Sequence, residues 1–269
     1  MAKSQNSINY VMWCTYHDKK LLKEYNLAES EHFKLYYTKD INNKVKYSLN
    51  YAQLYFNEYA TQYYVWKNNF KSDLVGFCHY KRTYDSIINN DLIKHIYNNS
   101  FYYTFLNYSL IHEKKVYHNL IENWKDEGLE LHLEMLIKYV RKYYSDFYVD
   151  RLEKIMNSIF YVQSYGELYM CKWEIFDKLM IFVENYIKFL FENILNLKKD
   201  ELIDYSEEEF KLLDENLNNI NYDLFKQYHK SINNFSNNIR FYGSPRTLGF
   251  IIEMIIGIFW ELFYSNVNY

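Results

Sequence analysis

Hydrophobic positions near the start of the chain follow a strand-like pattern. "INYVMWCTYHD" is a run of apolar, β-favouring residues that closes on polar ones. "KKLLKEYNL" follows with helical spacing and "HFKLYYT" is a second short apolar run, so the pattern predicts a β-α-β opening. Next, "SLNYAQLYFNEYATQYYVWKN" holds neither Gly nor Pro. In it Leu54, Tyr55, Glu58, Tyr59, Gln62, Tyr63 and Trp66 recur at three and four, which predicts one amphipathic helix leading into the strand "DLVGFCHY". Helices alternating with buried strands predict an α/β layer architecture around a central, mostly parallel sheet flanked by helices.

From about 86 to 160 the pattern turns helical, with "LELHLEMLIKYVRKYYSDF" its clearest piece. "SIFYVQSYGELYMCKWEIFDKLMIFVENYIKFLFENIL" then predicts a strand and a long helix. Residues 196–240 are acidic and Asn-rich, without a sustained apolar stripe until "LFKQYHKSI", and are expected to form a solvated insertion. In "YGSPRTLGF" Gly243, Pro245 and Gly249 punctuate the chain before "LGFIIEMIIGIFWELFY". That last run carries Glu253 and Glu261 and falls short of the ~18–20 uninterrupted apolar residues of a membrane span, so it is expected to be a buried helix.

Composition narrows the function classes. A net charge of -3, from 31 basic and 34 acidic residues, lacks the bias of a general nucleic-acid binder, so any basic site must be local. The 32 tyrosines accompany abundant Asn, Lys and Ile, as an AT-rich coding background gives, and single tyrosines are discounted accordingly. Cys14, Cys78 and Cys171 lie far apart with no C-x-x-C pair, which suggests neither a disulfide framework nor a zinc site and fits a reducing cytoplasm. The polar start has no signal-peptide pattern.

Ligands of open α/β sheets sit at the carboxyl ends of strands. Two ends stand out: Thr15, Tyr16, His17 and Asp18 after "YVMWC", and His79, Tyr80, Lys81 and Arg82 after "LVGFC". A Lys-Arg pair suits a phosphate or diphosphate, because arginine offers a planar fork of donors and lysine a compact charge. The alternative is that both cations cap a strand in solvent.

The run "EYATQYYVWKN" followed by "LVGFCHYKRTYD" resembles the "CELT..YW.WKN … yvGfcHYRRyf" signature of an uncharacterised glycosyltransferase-like family of capsule and exopolysaccharide gene clusters. "YVMWCTYHDK", "YGELYMCKWEIFDKL" and "PRTLGFIIEMIIGIF" are weaker echoes, and the resemblance covers nearly the whole chain except residues 196–240. Departures are Asn57 for the motif Cys, Lys81 for the first Arg, Gly166 for an Asn that would contact sugar, and Met254 for the Arg after Glu253.

The resemblance implies a GT-A-like domain, residues 1–269, with a nucleotide-binding half over 1–85 and an acceptor-side half over 86–269. It implies transfer of a sugar from a nucleotide-sugar donor, UDP being the commonest expectation, to a glycan or lipid-linked acceptor. The expected place is the cytoplasm, with loose membrane association open. In that fold the strand ending here in "HYKR" usually ends in Asp-x-Asp, which holds a metal under the diphosphate, and this chain has no Asp-x-Asp. Lys81, Arg82 and Arg246 would then form a metal-independent clamp, since cations can neutralise the leaving group. No cofactor is expected, although the sequence leaves Mn2+ or Mg2+ open.

Three carboxylates are candidates for the base on the acceptor: Glu253, which interrupts an apolar helix and could instead pair with Arg246; Glu167; and Asp85. His17 and His79 follow apolar strands and are candidate donor contacts, or histidines satisfied at the edge of the core. Glu58 is expected to brace the basic strand end and Trp66 to lie in the core. In "ELHLE" a helix turns His132 away from Glu130 and Glu134, so a solvated face is expected here and not a metal cluster. Two other readings compete: a catalytically silent nucleotide- or sugar-binding relative, and a nucleic-acid binder stacking bases on tyrosines, which the acidic balance disfavours.

Overall fold

The computed structural model describes residues 8–39, 46–56, 58–81, 83, 88–99, 102–104, 130–157, 169–228 and 247–264. The chain divides into two compact units, one of Met1–Gln53, Glu58–Leu106 and Tyr165–Ile181, the other of Leu54–Asn57, Asn107–Ser164 and Phe182–Tyr269. The first unit thus reaches past residue 85.

Among the described residues the first unit has five strands, β1 (Tyr10–Tyr16), β2 (Phe33–Tyr37), β3 (Leu74–His79), β4 (Tyr102–Thr104) and β5 (Tyr169–Lys172), in the order β2-β1-β3-β5-β4. β1 is parallel to β2 and β3, while β5 is antiparallel to β3 and β4. The sheet is therefore mixed. The even residues Met12, Cys14, Leu74, Cys78, Tyr80 and Met170 share a core with Ile93 and Ile96 of helix α4 (Asn90–Asn99), against which Leu21 of α1 (Lys20–Glu24) also packs. On β2 the odd residues Phe33 and Leu35 join this core, whereas on β1, β3 and β5 odd residues face the other way. There Thr15 meets Thr61 of α3 (Tyr59–Lys67), and the Phe77 ring meets Phe176 of α7 (Trp173–Leu195) at 5.1 Å. Helices therefore cover both faces of the sheet, as parallel strands require.

The single helix predicted before β3 is two: α2 (Gln53–Phe56) ends before α3 begins at Tyr59. The stop of α3 is made by asparagine. Asn69 has φ 59°, the Phe70 N–H donates to the Val65 carbonyl at 3.1 Å and the Asn69 N–H to Trp66 at 3.0 Å, the paired bonds of a Schellman end. Asn26 closes α1 in the same way, with φ 50° and the Leu27 N–H on the Leu22 carbonyl at 2.8 Å. Trp66 is half-buried and donates its indole N–H to Asp177 at 2.7 Å.

The second unit is helical among its described residues: α5 (Glu130–Tyr143), α6 (Asp146–Asn157), the part of α7 from Phe182 on, α8 (Glu207–Tyr228) and α9 (Thr247–Phe263). Tyr139 is fully buried, with the rings of Phe182 and Tyr186 at 5.3 and 5.4 Å, and its hydroxyl donates to the Phe182 carbonyl at 3.0 Å. Burial pushes its phenol far above the ordinary range. His132 is likewise buried while Glu134 is exposed, and desolvation lowers the imidazole to about 3. The solvated face expected of "ELHLE" is therefore corrected at His132, which is a neutral histidine of the core. The last apolar run is a buried helix, and no helix among the described residues is long and apolar enough to cross a membrane.

The expected solvated insertion is corrected in part. Phe210, Leu213 and Leu217 of α8 are buried at helical spacing, and Phe210 packs on Phe191 and Tyr205 with ring centroids at 5.2 and 5.9 Å. Ser206 and Glu209 begin the helix with reciprocal capping bonds of 3.2 and 2.7 Å, a box written in "SEEE". Three apolar residues suffice for one buried face, and the acidic and Asn-rich positions between them conceal it.

Asp214 on α8 is buried and accepts the Leu248 N–H at the start of α9 at 2.7 Å, with Asn218 at 3.3 Å. Burial, partly offset by these bonds, raises its carboxyl from 3.8 to about 6. With the folded value above the unfolded one, its contribution to stability is full below about pH 4 and lost as pH rises through about 6. Asp214→Asn should therefore gain on the parent by on the order of 2 kcal/mol between pH 4 and pH 7. Urea unfolding at both pH values checks this; a constant difference would contradict the raised value.

Candidate functional site

The strand order reverses at β1, whose neighbours β2 and β3 lie on opposite sides, and α/β sheets bind ligands in the crevice at such a point. Parallel pairing sets Thr15 beside His79, so the carboxyl ends of β1 and β3 are adjacent. The two strand ends singled out in the sequence thus meet.

Tyr80 is buried and is the hub of this edge. The rings of His79, His17 and Tyr25 lie 3.8, 5.3 and 5.2 Å from it, and the Lys81 ammonium stands 5.6 Å from its centroid. His17 and Lys81 are exposed. The Tyr25 phenol is held above its ordinary value by desolvation and by Glu24, with Lys81 opposing, so it stays protonated as a hydrogen-bond donor at neutral pH. One step along the edge, Tyr16 meets the Tyr37 ring at 5.1 Å and the Lys19 ammonium lies 5.4 Å from that ring. The parallel strands thus present exposed ammonium groups beside aromatic rings, an arrangement suited to an anion attached to a planar group.

Helix α3 holds the edge from behind. The Thr15 and Thr61 hydroxyls are 2.7 Å apart and buried, so Thr15 ties β1 to α3. Glu58, the residue before α3, has its Oε1 3.5 Å from His79 Nε2, both side chains being half-buried. This is the bracing contact expected of Glu58. His79 Nδ1 in turn accepts the backbone N–H of Lys81 at 3.3 Å.

Arg82, Asp85, Glu167 and Arg246 lie outside the described residues. Glu253 is half-buried on α9 of the second unit. Lys19 was missed in the sequence; the "HDK" step after an apolar strand is the signal that marks it. The three cysteines are buried free thiols. Among the described residues no three His, Cys, Asp or Glu side chains converge as metal ligands.

Residues 29–211 match the model of a family described as a domain of unknown function, DUF4422. No curated protein matches the chain. Among solved structures, the apo structure of the WbbM bifunctional glycosyltransferase superposes with a TM-score of 0.51 at 14% identity. The match covers 83% of this chain and 43% of the other, so the chain spans less than half the length of that protein. The likeness is one of fold: an α/β, GT-A-like glycosyltransferase fold.

Proposed function

The chain belongs to the DUF4422 family of domains of unknown function, and from this premise and its fold we propose that it is a glycosyltransferase. In this reading it moves a sugar from a nucleotide donor, a UDP-sugar in the simplest case, to a glycan or lipid-linked acceptor. The observation that carries the proposal is the juxtaposition of His17, His79, Tyr80 and Lys81 at the point where the strand order reverses. Lys81, with Arg82 next in sequence, neutralises the diphosphate as it leaves, a charge that other sites give to a metal. Arg246 is proposed as a third cation. Asp85, Glu167 and Glu253 are the carboxylates proposed for the acceptor's proton. A silent binding relative would bind nucleotide without turnover.

The first experiment is a thermal-shift screen of nucleoside diphosphates and nucleotide sugars, in EDTA and with Mn2+. Ligand at a hundred times its Kd should stabilise the protein by about 2.7 kcal/mol. Stabilisation in EDTA is the expected result and identifies the base for transfer assays. Stabilisation only with metal would replace the cationic clamp by carboxylates, and no response to any nucleotide would overturn the proposal.

A further inference from the structure

We propose that Glu58 and His79 form a positioning pair whose function is to fix the backbone at Lys81, so that His79 acts on the donor through Lys81 and not by touching it. The inference rests on the nucleotide-binding reading of this strand end. His79 Nδ1 accepts the Lys81 N–H at 3.3 Å, so this nitrogen carries no proton while the bond stands. The neutral ring then has its proton on Nε2, which faces Glu58 Oε1 at 3.5 Å. A carboxylate, an imidazole and a backbone amide thus lie in series, leading from the start of α3 to the turn that carries the exposed ammonium.

The geometry has a mechanical reason. Lys81 lies beyond the end of β3 and is exposed, and among the described residues the pairing of β3 with β1 stops at His79. Its side chain has many rotamers, so a direction for the ammonium must come from the backbone that carries it. Glu58 orients the imidazole, the imidazole holds the amide, and the Thr15–Thr61 hydroxyl pair fixes the same end of α3 to β1. Binding sites gain from such preorganisation because less ordering is left to the moment of binding.

The test uses the two amides that imitate the two halves of a histidine. Asparagine places its oxygen near Nδ1 and glutamine places its amide near Nε2. If His79 positions Lys81, His79→Asn should keep UDP affinity within a few-fold, while His79→Gln should weaken it about tenfold. A direct Nε2 contact with phosphate predicts the reverse order and would overturn the proposal. A role in packing alone predicts equal losses that track the melting temperature, which would also overturn it. Glu58→Gln, which keeps an oxygen facing the ring, should be milder than Glu58→Ala.

A ligand-free measurement separates this inference from the function it rests on. In protein labelled with 15N-lysine, the Lys81 amide should exchange with solvent more slowly in the parent and in His79→Asn than in His79→Gln. Equal exchange in all three would overturn the positioning pair whatever the nucleotide does. The expected exchange pattern in a protein that binds no nucleoside diphosphate would sustain the pair and remove the proposed function.

Discussion

Lys81→Ala combined with Arg82→Ala should abolish nucleoside diphosphate binding and leave the fold untouched. Each cation offers a diphosphate charge-assisted hydrogen bonds worth about 1.5–3 kcal/mol. Losing both should cost on the order of 10²- to 10⁴-fold in affinity. Stability should not follow, because the Lys81 side chain is exposed and its ammonium stands 5.6 Å from the Tyr80 centroid. Substitutions at such positions change stability by about 0.5 kcal/mol or less. Lys81→Ala would keep the backbone N–H that His79 accepts, so the variant removes charge without removing the turn. Calorimetric titration with UDP, with melting temperatures beside it, reads both quantities. Unchanged affinity would end the clamp, whereas lost affinity with a large drop in melting temperature would mean that the pair supports the fold. Lys81→Arg, which supplies the residue of the resembling signature, should bind at least as well as the parent.

Burial was legible in the sequence, and direction was not. "YVMWC" and "LVGFC" each close on polar residues, so two strand ends could be identified, and neighbouring parallel strands bring such ends together. An apolar run such as "YMCK" says that a strand is buried but not that it will run antiparallel to β3. Helix ends were obscured for a chemical reason. With 6 glycines in 269 residues, left-handed stops fall to asparagine, and in an Asn-rich chain Asn26, Asn69 and Asn196 do not stand out from the background.

The site divides along the same line. Residue types suited to phosphate could be read, since Lys81 and Arg82 follow an apolar strand. The Glu58 to His79 contact joins residues 21 positions apart, and the use of both His79 nitrogens depends on a turn no pattern encodes. Glu58 is expected to brace the edge because helical spacing puts it on about the same face as Trp66. Its partner, His79, is visible only in the folded chain.

Gly76→Ala should destabilise the protein even though glycine is the less favourable of the two residues within a strand. Alanine for glycine usually stabilises by about 0.4–1 kcal/mol, through a less flexible unfolded chain. At Gly76 the balance reverses. It pairs with Met12 on one side and Met170 on the other, and a Cβ built there would lie 2.0 Å from Met12 Sδ and 3.3 Å from Met170 Cε. Met12 is 1% exposed and Met170 fully buried, so the thioether must change rotamer inside a filled core. Overpacking of this kind costs about 1–3 kcal/mol, which exceeds the gain and lowers the melting temperature by several degrees. Met12→Ala in the same chain should recover part of the loss, because the two changes share one space and cannot add. The outcome also bears on function, since Gly76 and Cys78 share a face of β3, Tyr80 just beyond the strand packs in the same core as Cys78, and a displaced strand carries Lys81 with it. A Gly76→Ala protein as stable as the parent would mean that Met12 repacks freely and that β3 tolerates a side chain there. If Gly76→Ala destabilises, and adding Met12→Ala restores stability but not UDP affinity, the demand for glycine lies on the strand end itself.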